Sequence, residues 1–208
     1  MSRRRALALL VPVAAATVVA IAAVSGFHLF SAMPSTPPAT ATTSLTPGSD
    51  AKFSYLVGQH SNFCSLSQST VMTYPANSRI QGACCNPLDD AKYRWQVSGL
   101  RAFSGTPEIL ADPYDVSAGL AKQLLAADSS ISLTSAQMTT FNSAASMTDD
   151  HGWCCCHCWR WYMSEGLAKV LITKYHMGAS TIAHVVNLTN GCGGALGSDA
   201  SPSPRTRS

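Results

Sequence analysis

The sequence predicts a mostly α-helical domain with a cysteine-rich metal or disulfide core, behind a single N-terminal membrane helix. Three observations lead to this prediction. Several segments combine helix-start residues with apolar residues at helical spacing, no segment shows a long alternating strand pattern, and the chain opens with arginines before an apolar stretch. Eight cysteines, six of them in two groups, supply the candidate core of a single domain at residues 51–196.

The first thirty residues predict a membrane segment. Three arginines at positions 3 to 5 precede an apolar stretch that covers residues 6–24 and extends more weakly to residue 30. As a helix rising about 1.5 Å per residue, residues 6–30 can cross a hydrocarbon core of about 30 Å. The arginines are expected to stay in the cytoplasm, which places the domain on the extracytoplasmic side. Cleavage as a signal peptide is the alternative, and the protein would then be secreted.

Polar segments flank the domain on both sides. Residues 31–50 are rich in proline, threonine and serine and predict an extended linker, whereas residues 197–208 have the composition of a disordered tail. The formal net charge of +3 comes from the three N-terminal arginines, because the rest of the chain is balanced. This balance argues against nucleic acid as a partner. The expected partners are the membrane and a metal ion.

Two helices are predicted in the middle of the domain. Asp89 and Asp90 give an acidic first turn to a helix that continues to about Phe103. Either Asp115 or Ser117 can cap the next helix, whose leucines recur at helical spacing. Before these helices the pattern is less clear. We expect loop structure with a little β-strand over residues 51–83.

Three more helices are predicted in the second half. Thr134 and Gln137 form a capping box that opens a helix to about residue 147. The longest helix is expected to begin within the cysteine run, to end at His176, and to use Gly178 as a left-handed cap. A last helix is predicted over residues 180–188. The charged residues of the longest helix, Arg160 and Glu165, are expected to be solvated or paired.

The run Cys154-Cys155-Cys156-His157-Cys158 is the main functional signal. Five consecutive soft ligands would point to incompatible faces of any helix or strand, so core packing does not explain them. In a first helical turn, Cys158 lies three or four residues after Cys155 and Cys154, and such pairs can face one ion. His157 stands three residues after Cys154 and offers a further pair.

A tetrahedral thiolate site needs ligands from elsewhere in the chain. The vicinal pair Cys84 and Cys85 is the first candidate, Cys192 lies among glycines that permit close approach, and Cys64 is a weaker candidate. Thiolates select copper(I), zinc or iron–sulfur clusters, and the spacing matches no iron–sulfur motif. The ligand number favours copper(I) slightly over zinc. The predicted metal ligands are Cys64, Cys84, Cys85, Cys154, Cys155, Cys156, His157, Cys158 and Cys192.

Two other uses of the cysteines stay open. An even cysteine count in an exported domain is typical of structural disulfides, although clustered cysteines would require crossing bridges. Alternatively, Cys155 and Cys158 form a C-x-x-C motif with a histidine before its second cysteine, as in some extracytoplasmic disulfide oxidoreductases. A helix N-terminus and His157 would lower the pKa of Cys155 in that case. The sequence does not decide whether the protein is an enzyme.

Two cysteine groups about seventy residues apart, the second opening a helix, give the chain a recognisable layout. This layout, with the later Gly178-Ala-Ser-Thr-Ile182 segment, resembles the bacterial membrane-anchored proteins of unknown function named for a PCYCGC motif. The first group here, Ala83-Cys84-Cys85-Asn86-Pro87, lacks the alternating cysteines of that motif. The resemblance implies an anchored, exported cysteine domain and no particular activity.

Overall fold

A computed structural model describes residues 45–196, and this part of the chain is mostly helical, as predicted. Within residues 45–196, no helix combines the length and apolar character needed to cross a bilayer. The predicted membrane segment, most of the linker and the tail lie outside the described residues. The described elements are α1 (Asp50–Val57), α2 (Gln68–Thr73), β1 (Arg79–Gln81), α3 (Asp90–Leu100), β2 (Asp115–Ser117), α4 (Ala118–Ser130), α5 (Ser135–Met147), α6 (Trp159–Thr173) and α7 (Ala179–Thr189).

Helix α6 is the central element of the fold. Its side chains are buried on most sides, with Trp159, Met163 and Leu167 fully enclosed. Helix α4 packs along it, and α2, α5 and α7 contact it as well. A helix that is apolar on most of its surface is stable in water only when it is covered in this way. The first turn of α6, directly after the cysteine run, is therefore held in place by the core.

Helix α7 packs against α3 and α5 through a strongly apolar face. Ile182, Val185 and Leu188 on this face are fully buried. The glutamine side chain of Gln96, on α3, donates hydrogen bonds to the carbonyl oxygens of Asn187 (3.2 Å) and Asn190 (2.7 Å). These contacts fix the end of α7 and so the position of the glycine-rich segment that follows it.

A two-stranded antiparallel sheet carries a buried ionic network, here named the Asp115 network. Strands β1 and β2 pair with Arg79 opposite Ser117 and Gln81 opposite Asp115. The Asp115 carboxylate accepts hydrogen bonds from the buried ammonium of Lys52, from Arg79 Nε at 2.7 Å and from Gln81 Nε2 at 3.0 Å. Burial alone would raise the pKa of Asp115, but the hydrogen bonds from Arg79 and Lys52 lower it below its ordinary value.

Several predicted helix starts are confirmed by their caps. The Asp89 carboxylate accepts from the Lys92 N–H at 2.8 Å and caps α3, while Ser117 caps α4. The capping box of Thr134 and Gln137 is present at the start of α5. Helix α7 covers the predicted range with one extra residue at each end. Polar side chains at these positions satisfy the free N–H groups of the first turn.

Two predictions for the longest helix are wrong. Helix α6 begins at Trp159, after the cysteine run, and residues 151–158 form bends with no helical turn. At the other end, Gly178 is not a left-handed cap, because it precedes α7 with φ of −79°. His176 adopts the left-handed conformation instead, with φ of 53°, and the N–H of Met177 donates to the carbonyl oxygen of Leu171.

The expectation of loop and minor strand over residues 51–83 is confirmed for the loops at residues 58–67 and 74–78 and for β1, but not where the segment is helical. Residues 50–57 and 68–73 form the short helices α1 and α2. Serine side chains cap both helices, Ser49 accepting from Lys52 and Ser67 from Thr70. Helices this short are marginal by themselves, so tertiary contacts decide their formation. Leu56 and Val71, which are fully buried, supply those contacts.

Candidate metal centre

Three separate segments of the chain converge at one end of the helical core. The backbone of residues 84–86 pairs with residues 191–192: the Cys84 N–H donates to the Gly191 carbonyl at 3.0 Å, and the Asn86 N–H donates to the Cys192 carbonyl at 2.8 Å. Gly193 has φ of +74°, and a Cβ there would collide with the carbonyl oxygen of Asn86. Only glycine allows this approach, which brings Cys84 and Cys192 together.

The cysteine run forms the third segment and is anchored by tryptophans at both ends. Trp153 packs on Phe141 with ring centroids 4.4 Å apart. Trp159 donates from its indole nitrogen to Asn62 Oδ1 at 3.0 Å, and its backbone N–H donates to the Leu66 carbonyl at 3.1 Å. Because both flanks are fixed, residues 154–158 can present thiols inward without a helical backbone.

Four cysteines form a largely buried group, named the inner group: Cys84, Cys154, Cys158 and Cys192. Contacts with Cys154, Cys158 and Cys192 raise the pKa of the Cys84 thiol above its ordinary value. The sulfurs of Cys154 and Cys192 are 3.1 Å apart. Cys154, Cys158 and Cys192 are buried, and Cys84 is partly buried. The four thiols thus come from three distant segments of the chain.

The other four cysteines form a more exposed group, named the outer group: Cys64, Cys85, Cys155 and Cys156. The sulfurs of Cys64 and Cys85 are at disulfide distance, with their Cα atoms 5.6 Å apart. The sulfur of Cys85 also lies 3.4 Å from that of Cys155 and 3.8 Å from that of Cys156. The two groups touch, because the Cys155 and Cys192 sulfurs are 3.1 Å apart. All eight cysteines therefore belong to one continuous cluster.

His157 lies apart from this cluster. Its exposed imidazole stacks on the Trp161 ring with a centroid distance of 3.9 Å. No group of three nearby metal-ligating side chains in residues 45–196 includes it, whereas three such groups consist of cysteines alone. Sequence spacing suggested a pair with Cys154, but that geometry required a helical turn that the run does not form.

Arg160 and Tyr114 border the inner group and were not predicted as site residues. Arg160, expected to be solvated or paired, is only 2 % exposed, and the described residues place no carboxylate within ion-pairing distance of it. Its Nη2 donates to the Pro113 carbonyl at 2.6 Å, but its Nε has no partner. The guanidinium lies against Gly191, next to Cys192. No sequence pattern distinguishes such a buried arginine from a surface one.

Tyr114 is fully buried near the same sulfurs. Burial raises its pKa, Arg160 acts in the opposite direction, and the charges of Cys192 and Cys84 add smaller increases. Its hydroxyl lies near the backbone of Gly193 but makes no hydrogen bond of normal geometry. Buried polar groups are nearly always paired, so two unpaired ones beside the same thiols call for a physical explanation.

The thiols differ in how readily they ionise. Hydrogen bonds from Cys154 and Cys84 lower the pKa of Cys192 to about 3, and a hydrogen bond from Cys158 lowers the pKa of Cys154 to about 7. Partial burial, followed by the contact with Cys192, raises the pKa of Cys155 above its ordinary value. The prediction of a lowered pKa for Cys155 is therefore wrong, because this residue does not stand at a helix N-terminus.

The geometry of the sulfurs is compatible with ligation of a metal ion. Four sulfurs at about 2.3 Å from a tetrahedral zinc ion would be roughly 3.8 Å from one another. The Cys154 and Cys192 sulfurs, which are 3.1 Å apart, would need only a small outward shift to reach such a spacing. Three sets of three cysteines have all their sulfurs within 4.8 Å of one another and could thus bind a metal ion: Cys64, Cys84 and Cys85; Cys85, Cys155 and Cys192; and Cys154, Cys155 and Cys156. The sulfurs of Cys64 and Cys85 also stand at disulfide distance.

Comparison of the chain with protein-family models, with curated proteins and with solved structures finds no match in any of the three. The resemblance to the PCYCGC proteins stays a prediction from the cysteine layout.

Proposed function

We propose that this protein binds a soft metal ion, zinc or copper(I), through the inner group, and that it does so on the extracytoplasmic side of a membrane to which its N-terminal segment anchors it. The convergence of Cys84, Cys154, Cys158 and Cys192 from three distant segments carries the proposal. Thiolates are the ligands that these ions prefer, and four of them complete a tetrahedral site. The role would be metal sequestration, metal delivery or metal-dependent stabilisation of the domain.

The surroundings of the inner group support a negatively charged occupant. A zinc or copper(I) ion with four thiolates carries a net negative charge, since the ligands bring four charges. A buried guanidinium without a carboxylate partner costs free energy unless another anion compensates it. Arg160, whose guanidinium lies against Gly191, one residue before Cys192, is such a guanidinium. A metal–thiolate centre would provide the missing counter-charge.

The metal content of the full-length chain tests this proposal. The chain would be purified without oxygen in mild detergent, loaded with excess zinc and desalted, and its metal and free thiols would be counted by elemental mass spectrometry and thiol titration. We expect the variant combining Cys154→Ser and Cys158→Ser to retain no zinc. The matched variant combining Cys155→Ser and Cys156→Ser should keep the ion bound by the inner group.

Two results would contradict the proposal. Equal zinc retention in both double variants would remove the inner group as the binding site. A wild-type chain without metal and with nearly all thiols oxidised would instead indicate a structural disulfide domain, in which the close sulfurs form crossing bridges.

Thiol–disulfide exchange is the second candidate function. The observation that favours it is the exposed Cys155 thiol, 3.4 Å from the sulfur that Cys85 shares with Cys64. Attack of the Cys155 thiolate on Cys85 would form a new bond and release Cys64 as the leaving thiolate. In that case the reduced protein should reduce a small model disulfide, and Cys155→Ser alone should stop the reaction.

A further inference from the structure

The outer group contains four cysteines, as a second tetrahedral ligand set would, but two of them, Cys64 and Cys85, are joined as a disulfide. Cys85 is at its centre, with its sulfur at disulfide distance from Cys64 and within 3.8 Å of both Cys155 and Cys156. While Cys64 and Cys85 are joined, Cys155 and Cys156 are the two free thiols of the group. Two thiols are half of a tetrahedral site.

We infer that the outer group is a second soft-metal site, which opens when the Cys64–Cys85 disulfide is reduced. This inference depends on the proposed function of the inner group. Reduction would raise the number of available outer thiols from two to four. The protein would then bind more metal in a reducing environment than in an oxidising one.

The Cys64–Cys85 disulfide is reduced by two electrons through exchange with a dithiol. A small dithiol attacks one sulfur of the disulfide, the Cys64–Cys85 bond breaks, and a second attack within the mixed disulfide releases the protein with two thiols. The dithiol becomes a cyclic disulfide, and its two protons are transferred to the cysteines. A zinc ion then displaces protons from the four outer thiols as it binds.

The fold around this disulfide does not depend on it alone. Asn62, two residues before Cys64, donates from its backbone to the Gln81 carbonyl at 3.0 Å and from its side chain to the Gly82 carbonyl at 2.9 Å. Its Oδ1 also accepts from the Trp159 indole. These buried hydrogen bonds hold the two segments together, so reduction can release the thiols without releasing the backbone.

The position of the outer group suits exchange with solvent. Cys64 and Cys155 are exposed, whereas three of the four inner thiols are buried. The contact of 3.1 Å between Cys155 and Cys192 connects the two groups. A metal ion in the outer group would thus lie next to the inner one, and a bridging sulfur could be shared between two ions.

Zinc stoichiometry in two redox states tests the inference. The full-length chain would be prepared without oxygen, either with the disulfide intact or after treatment with a dithiol and desalting, and then loaded with zinc, which does not oxidise thiols. We expect one zinc ion per chain in the first state and two in the second, by elemental mass spectrometry. The matched variant combining Cys155→Ser and Cys156→Ser should bind one ion in both states.

The outcomes separate this inference from the proposed function. One ion in both states of the wild-type chain would overturn the second site and leave the inner site standing, whereas no ion in either state would overturn both. Loss of the helical circular dichroism signal on reduction would also overturn the inference, because it requires the fold to survive. Cys64→Ser provides a further check: it frees Cys85 without any reductant but leaves only three outer thiols, so this variant should bind its second ion more weakly than the reduced wild-type chain.

Discussion

Two buried polar regions of this domain differ in how their charges are compensated. In the Asp115 network, every charged group has a partner: the carboxylate accepts from Lys52, Arg79 and Gln81. Beside the inner group, Arg160 is equally buried, but its Nε has no acceptor. The hydroxyl of Tyr114, near the same sulfurs, is also unpaired.

The difference separates a structural region from a binding region. A buried network whose members all find partners within the protein needs nothing else, and removing one member leaves an uncompensated charge. A buried region with unpaired donors next to four thiols is complete only when something with negative charge is bound. We therefore expect the Asp115 network to control folding and the inner group to control metal binding, each with little effect on the other.

The largest effect is expected from Asp115→Asn. This change leaves the buried Lys52 ammonium without its counter-ion, and the loss of one partner of a buried pair costs about 3–5 kcal/mol. Urea unfolding of the full-length chain would measure the change. Asp50→Asn, at the exposed partner of Arg94, is the control and should change the free energy of unfolding far less, because exposed ion pairs contribute little. Equal losses in the two variants would contradict the role of the network.

Metal loading is expected to have the next largest effect. A ligand that binds only the folded state, at a free concentration of 100 times its Kd, raises the free energy of unfolding by about 2.7 kcal/mol. The same gain should occur in Asp115→Asn, because the inner group is intact there. It should vanish in the variant that combines Cys154→Ser and Cys158→Ser. If metal loading raised the free energy of unfolding less in Asp115→Asn, and equally in wild type and the cysteine variant, the two regions would not be independent.

Removal of the Arg160 charge should weaken metal binding more than it weakens the fold. Residues that contact the ligands of a metal, and not the metal itself, typically contribute about 10- to 100-fold in metal affinity. Arg160→Met should therefore lower zinc affinity by a factor in that range. Arg160→Lys keeps the positive charge and should lose less. Competition with a chelator measures the affinity, and urea unfolding of the metal-free protein measures the fold. Unchanged affinity in Arg160→Met would contradict the proposed counter-charge.

The smallest expected effect is the loss of folding stability at low pH. Because the pKa of Asp115 is lowered in the folded state, its contribution to stability is present above the unfolded value of about 3.9 and is lost as the pH falls through the lowered folded value. Each unit of pKa difference corresponds to about 1.4 kcal/mol. The free energy of unfolding of the metal-free chain would be measured from neutral pH down to about pH 2. It should fall more steeply with decreasing pH in wild type than in Asp115→Asn.

Local signals explain which parts of the fold the sequence could predict. The caps of α3, α4 and α5 could be predicted without any tertiary information, because each capping side chain accepts from an N–H group three residues later. The capping residues are Asp89, Ser117 and Thr134, the last paired with Gln137. Helices α1 and α2 carry similar serine caps but are only eight and six residues long. Their formation depends on buried contacts made by the rest of the chain, which no local pattern reveals.

The candidate site was predictable in composition and not in arrangement. The need for ligands from Cys84 and Cys85 followed from the four-fold coordination of thiolate sites, and both residues do lie in the cluster. Their separation into different groups depends on the pairing of residues 84–86 with the segment around Cys192, which is a long-range contact. The burial of Arg160 likewise depends on tertiary packing.

X-ray absorption at the metal edge of the zinc-loaded, full-length chain with its disulfide intact tests the central claim most directly. The inner group predicts a single zinc ion with a first shell of four sulfurs at about 2.3 Å and no nitrogen. A shell that contains imidazole nitrogen, or fewer than four sulfurs, would contradict the assignment of Cys84, Cys154, Cys158 and Cys192 as its ligands.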